Sequence, residues 1–167
     1  RFDPDGLFNP GKITDPPKMD DRSLFRFKPG YAVPNIETAF DWSDWGGLGG
    51  AVEMCNNNGA CRKLAGGTMC PSYRVTRHER DVTRGRANTL RLAISGQLGP
   101  DALTSDAMAD TLALCVSCKG CKRECPTGVD MARMKIEVLA ARARSNGLTL
   151  HDRLVAYLPR YAPVAAR

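Results

Sequence analysis

The chain has 167 residues, 43% of them hydrophobic, and 24 lysines and arginines against 18 acidic residues give it a net charge of +6. That length suffices for one core or two small pieces, and no apolar run approaches the roughly 20 residues of a membrane span or the pattern of a signal peptide. The basic balance comes without a recognition motif, which sets nucleic-acid binding aside; it leaves a solvated basic surface, or one that meets an acidic partner or an anionic membrane.

The chain opens on Arg1 rather than Met, which reads as an internal fragment. Residues 1–35 are rich in Pro, Gly and Asp, and turn signals such as Asp15-Pro16-Pro17 separate short apolar anchors. Leu24, Phe25, Phe27 and Tyr31 suggest one extended, half-buried stretch. Residues 36–50 hold Trp42, Trp45 and a run of glycines, read as a Trp/Gly-rich linker or as a loop anchored on a neighbour through a Trp. Residues 51–70 carry Cys55, Cys61 and Cys70 around turns at Asn56-Asn57-Asn58-Gly59 and Gly66-Gly67.

Pro71 suits the first turn of a helix. Thr83 is placed to cap another over about 84–97, burying Ala87, Leu90, Ile94 and Leu98. Thr104 or Ser105 starts the next, which ends near Cys115. Thr127 or Asp130 caps the last long helix, with Val129, Ala132, Ile136, Leu139 and Ala143 as its apolar stripe and Asn146-Gly147 as its stop. A short helix follows over about 149–157. No strand is expected between 51 and 167, so the fold class is all-α.

The most specific signal is Cys115-Val116-Ser117-Cys118-Lys119-Gly120-Cys121-Lys122-Arg123-Glu124-Cys125-Pro126. It reads C-x2-C-x2-C-x3-C-P, the ligand run of bacterial iron–sulfur proteins, in which the fourth Cys serves the other of two clusters. Zinc sites pair two separate C-x2-4-C hairpins instead. Seven cysteines are an odd number for a disulfide framework, and cluster thiolates need a reducing compartment, which favours the cytoplasm; the basic charge also allows a peripheral place on the inner membrane. Aligned on the Cys-Pro pairs, Cys55, Asn58, Cys61 and Cys70-Pro71 repeat Cys115, Cys118, Cys121 and Cys125-Pro126, with Asn58 where the second Cys stands.

Exchange of fourth ligands assigns Cys70, Cys115, Cys118 and Cys121 to a [4Fe–4S] cluster. It leaves Cys55, Cys61 and Cys125 for a second cluster, either [3Fe–4S] or [4Fe–4S] with an oxygen or nitrogen ligand. The C-x5-C spacing of Cys55 and Cys61 resembles that in the iron–sulfur subunit of succinate dehydrogenase. The rival arrangement is a single cluster on Cys115, Cys118, Cys121 and either Cys70 or Cys125. Arg74, Arg77, Arg80, Arg84, Arg86 and Arg91 follow Cys70; they read as solvated faces paired with Glu79 and Asp81, or as one or two cations, Arg84 or Arg86, beside a cluster. His78 reads as a surface or capping residue, with a ligand role as the alternative.

Several stretches resemble one family: Trp45-Gly46-Gly47, Glu53 through Arg62, Gly66 through Tyr73, Thr83 through Ala87, and Cys115 through Met131. The family is that of the large bacterial FAD-linked oxidases with an iron–sulfur domain, of the D-2-hydroxyglutarate or D-lactate dehydrogenase type. Arg1–Ile13 resembles the end of their FAD-linked oxidase domain. The resemblance implies three parts: 1–35, the tail of that oxidase domain; 36–50, the linker; and 51–167, an α-helical ferredoxin-like iron–sulfur domain preceded by an extended, irregular segment. It further implies a relay rather than a catalyst: FAD bound in another part of the parent chain, a flavin domain as partner, and an external acceptor, a quinone or electron-carrier protein. The alternative, from a different class, is a structural or redox-sensing iron–sulfur domain.

Overall fold

A computed structural model describes residues 3–165. Arg1 and Phe2, which open the N-terminal resemblance, and Ala166 and Arg167, which close the expected 51–167 domain, lie outside the described residues. Helices make up 48% of the chain, and no strand occurs among the described residues. The all-α expectation is therefore met. No helix among them is long and apolar enough to cross a membrane.

Two compact units divide at Ala32 and Val33. The first is a succession of turns with one 3-10 turn at Arg22–Leu24. Asp3 anchors it by accepting the Leu7 and Phe8 amides at 2.8 Å each. The half-buried stretch expected around Leu24 does not form: Leu24, Phe25 and Phe27 are exposed, because so short a piece offers no second layer to pack on. Phe27 and Tyr31 stack with centroids 4.8 Å apart, and Arg26 lies 5.4 Å from the Phe27 ring centroid.

The second unit holds eight helices among the described residues: α1 Leu48–Glu53, α2 Pro71–Thr76, α3 Thr83–Ile94, α4 Asp106–Ala113, α5 Gly120–Glu124, α6 Met131–Asn146, α7 Leu150–Ala156 and α8 Leu158–Ala165. Its core gathers Trp42, Leu48 and Val52 with Ala87, Leu90 and Ile94 of α3, Met108 and Leu112 of α4, and Met131, Met134 and Val138 of α6. The stretch 36–50, read as a linker or as a loop anchored through a Trp, lies within this unit, and Trp42 is in its core. Two of its glycines, Gly49 and Gly50, serve close approach. A Cβ on Gly50 would stand 1.9 Å from the Trp45 carbonyl oxygen, so only Gly lets α1 begin there.

Val129 and Ala132 of the stripe expected for α6 are buried, but the helix departs from it further on. Ile136 and Leu139 are exposed, while Met131, Met134, Glu137 and Val138 face inward. Glu137 is held inward there: its carboxylate accepts Ala39 N at 2.7 Å, Phe40 N at 2.8 Å and Trp42 Nε1 at 2.8 Å. Arg133 lies 4.4 Å from the Trp42 ring centroid and donates to the Asp41 carbonyl at 2.9 Å, and Arg144 donates to the Glu37 carbonyl at 3.0 Å. Three polar side chains of α6 thus strap residues 37–42 to it. α3 ends at Ile94, and Leu98, beyond it, is exposed.

Candidate metal centre

The two cysteine groups are delivered by loops that meet helix N-termini. α4 ends at Ala113 and hands the chain to Cys115, whose carbonyl accepts Lys135 Nζ of α6 at 2.7 Å. Ser117 and Lys119, on either side of Cys118, have φ of 53° and 58°, and Cys70 has φ of 52°. Left-handed backbone at non-glycine residues costs of order 1–3 kcal/mol each and concentrates at functional sites. Here it curls the loop so that Cys70, Cys115, Cys118 and Cys121 line one open-mouthed cavity. Cys118 is exposed at that mouth and Cys70 and Cys121 are buried.

A carboxylate holds the two halves together. Glu124 of α5 accepts Thr68 N at 2.6 Å, Thr68 Oγ1 at 2.7 Å and Met69 N at 3.0 Å, which fixes the residues just before Cys70 against the Cys121–Cys125 helix. These bonds hold its carboxyl below the usual range. On the other side α5, capped by Cys125, packs on the 3-10 turn Ala60–Arg62 that contains Cys61. Cys55 and Cys61 are buried. Cys55, Cys61 and Cys125 do not line the first cavity. None of the seven cysteines is in a disulfide.

Burial raises the Cys61 thiol to about 11, opposed by the Arg84 amide; Cys70 and Cys55 nearby add to the rise and the Arg84 guanidinium opposes it. Burial also raises Cys70, against the pull of Thr83, whose amide donates to the sulfur at 3.1 Å and whose hydroxyl lies 2.9 Å away. Burial raises Cys121, against the Met131 amide. At Cys125 burial pushes up, but the Thr127 hydroxyl, 3.3 Å away, and the Val129, Thr127 and Gly128 amides outweigh it and lower the thiol. Successive amides at the start of α3 therefore serve Cys70 and Cys61, and the first amide of α6 serves Cys121. Donors and positive helix ends aimed at sulfur are what thiolate clusters require of their surroundings.

The residues fit an iron–sulfur cluster. Four cysteines line one cavity, backbone N–H groups reach the sulfurs of Cys70 and Cys121, and Arg86 stands in the wall. Among the described residues no three His, Cys, Asp or Glu side chains converge closely enough for a single metal ion.

Asn58 is used locally: its Oδ1 accepts Ala60 N at 2.8 Å and its Nδ2 donates to Asn56 Oδ1 at 2.5 Å, as expected of a turn residue. His78 is exposed at a 3-10 turn, and its side chain makes no cap. Of the arginines after Cys70, Arg86 is buried in the cavity wall, and Arg84 pairs with Glu79 at 2.5 Å. Three contributors escape a sequence reading: Thr83, Thr127 and Glu124. Thr83 and Thr127 look like helix caps, yet Val82 and Asp130 hold the cap positions and the two hydroxyls face sulfur. Glu124 sits within the ligand run, and that placement is its sole signal.

Residues 51–129 match the 4Fe–4S dicluster domain family. The chain is also similar to D-2-hydroxyglutarate dehydrogenases. It is 28% identical to that of Escherichia coli, and 26% identical to those of Pantoea ananatis and Pseudomonas putida, over 99% of its own length. It spans 19% of the length of each of these relatives. No solved structure matches it significantly.

Proposed function

We propose that this chain, an iron–sulfur module with a 4Fe–4S dicluster domain over residues 51–129, relays electrons within a larger FAD-dependent D-2-hydroxy-acid dehydrogenase. It takes them from a flavin held elsewhere in the parent chain and passes them to an external acceptor, a quinone or an electron-carrier protein. In this reading residues 1–35 are the tail of the flavin-linked oxidase domain and 51–167 the relay domain. The observation that carries it is the single cavity shared by Cys70, Cys115, Cys118 and Cys121. It unites a cysteine of the first group with three of the second, as exchange of fourth ligands demands.

Cys70, Cys115, Cys118 and Cys121 would hold a [4Fe–4S] cluster. Cys55, Cys61 and Cys125 would hold a second, brought to one neighbourhood by the packing of α5 on the Ala60–Arg62 turn. Bound clusters supply one-electron redox capacity, which a two-electron flavin needs to serve one-electron acceptors. The chain's own contribution is to place the sulfurs, direct amides at them, and leave Cys118 at the surface. The name shared by the relatives points to a D-2-hydroxy acid as the parent's substrate.

Iron and sulfide analysis with EPR on anaerobically prepared protein tests the ligand assignment. Two cluster signals are expected, with a three-iron signal in the oxidised state if the Cys55 site holds three irons. Cys118→Ser should lose the first cluster and much of the fold with it, since ligation contributes to folding; full iron content in that variant refutes the assignment. In the full-length enzyme, substrate should reduce the clusters. Clusters unchanged through turnover would assign them a structural role instead.

A further inference from the structure

We propose that Arg84 and Arg86 are separate charge partners of the two cysteine sets, each raising the reduction potential of one cluster and leaving the other alone. The proposal rests on the two-cluster reading above. It starts from helix geometry: residues two apart on a helix point about 200° from one another. At the start of α3 this sends Arg86 inward and Arg84 outward, and a different set of sulfurs lies on each side.

Arg86 is 2% exposed and lines the cavity of Cys70, Cys115, Cys118 and Cys121. Its Nε donates to the Thr111 carbonyl at 3.1 Å and its Nη2 to Ser72 Oγ at 3.2 Å, which holds the guanidinium in the wall. Its acidic neighbour Asp81 stays 4.0 Å away and is equally buried. The guanidinium thus keeps its charge beside the cavity, and that charge favours the thiolate form of Cys70.

Arg84 serves the other set. Its amide donates to Cys61. Its Nη1 lies over Gly59, 3.7 Å from where a Cβ would stand, in the loop between Cys55 and Cys61. Glu79 holds it at 2.5 Å and part of the side chain is in solvent. The charge of Arg84 is thus partly neutralised and screened, whereas Arg86 acts from a dry wall.

Reduction adds a negative charge to a cluster, so a fixed cation nearby favours the reduced state and raises the potential. Removing Arg84 should lower one midpoint, removing Arg86 the other, and the Arg86 effect should be the larger. Removing the Asp81 charge should raise the midpoint that Arg86 controls.

The test is an EPR-monitored redox titration of the iron-loaded full chain under anaerobic conditions, comparing wild type with Arg84→Gln, Arg86→Gln, Arg86→Lys and Asp81→Asn. The expected result is that Arg84→Gln lowers the midpoint of one signal and Arg86→Gln that of the other. Asp81→Asn should raise the second, and Arg86→Lys, which keeps the charge, should leave it near wild type. A packing role alone would move Arg86→Lys as far as Arg86→Gln. If Arg86→Gln does not fold, Asp81→Asn and Arg86→Lys carry the same comparison. Two wild-type signals that ignore these substitutions, or that move together, overturn the proposal and leave the dicluster reading intact. A wild-type protein with one cluster overturns both.

Discussion

Replacing Glu137 should be the most damaging single change away from the cysteines. Its carboxylate is buried and accepts three donors: Oε2 takes Ala39 N at 2.7 Å, and Oε1 takes Phe40 N and Trp42 Nε1 at 2.8 Å each. Hydrogen bonds to a charged acceptor contribute about 1.5–3 kcal/mol each, and a buried donor left unsatisfied costs about 1–3 kcal/mol. The three sites are unequal. Ala39 is exposed and its amide can rehydrate, whereas the Trp42 indole is buried and cannot. Glu137→Ala orphans the indole and also leaves a small cavity at about 0.8 kcal/mol per lost methylene. The total is about 3–5 kcal/mol, a large share of the roughly 5–15 kcal/mol that holds a domain together. Glu137→Gln keeps an oxygen for Phe40 and Trp42 but turns an NH2 toward the Ala39 amide, for about 1–2 kcal/mol. Anaerobic urea unfolding of the iron-loaded protein, followed by tryptophan fluorescence, reads both values directly. An alanine variant within 1 kcal/mol of wild type, or a glutamine variant worse than alanine, would refute the clamp.

Other expectations follow from the same contacts. Gly85→Ala should destabilise by about 1–3 kcal/mol even though Ala is the better helix former by about 1 kcal/mol, as measured by unfolding midpoint; the new Cβ would stand 1.9 Å from the Glu79 carbonyl oxygen. Glu124 has its carboxyl lowered from 4.5 by the Thr68 and Met69 hydrogen bonds, so its stabilisation is present above that pH and lost as pH falls through its folded value. The denaturant midpoint of wild type should exceed that of Glu124→Gln at neutral pH, and the gap should close on acidification below about 4.5; a gap constant with pH would sink this. Burial keeps the Cys61, Cys70 and Cys121 thiols protonated, Cys61 up to about 11. Iron binding must displace those protons, so the yield of in vitro cluster assembly should climb as pH rises from neutrality toward the ordinary thiol value of 9.0. Yields that fall over that range would contradict the shift.

The helices were readable because their signals are local. Pro71 opens α2, Ser105 and Asp130 cap α4 and α6, and Gly147 closes α6, each where the sequence puts it. The cysteine run stands out because its regular spacing is that of iron–sulfur ligand runs, and residues 51–129 match a 4Fe–4S dicluster family. Long-range polar contacts were not. Nothing local marks Glu137 as buried; its partners are donors of residues 39–42, some 95 residues away. Thr83 and Thr127 carry the composition of caps, and nothing local tells that their hydroxyls would face sulfur. The burial of Arg86 beside an exposed Arg80 follows from which side of α3 meets α4, a fact of packing that a run of arginines does not encode.

The opening turn of α3 also fixes a length. The amides of Thr83 and Arg84 belong to neighbouring peptide units, and each reaches a sulfur of a different set, Cys70 and Cys61. Adjacent amide nitrogens lie about 3 Å apart and each hydrogen bond adds about 3 Å, so these two sulfurs stay within about 10 Å of one another. Parting them would break one of these bonds or unwind the helix, so the opening turn of α3 sets the span between the two cysteine sets whatever the outer surface is doing.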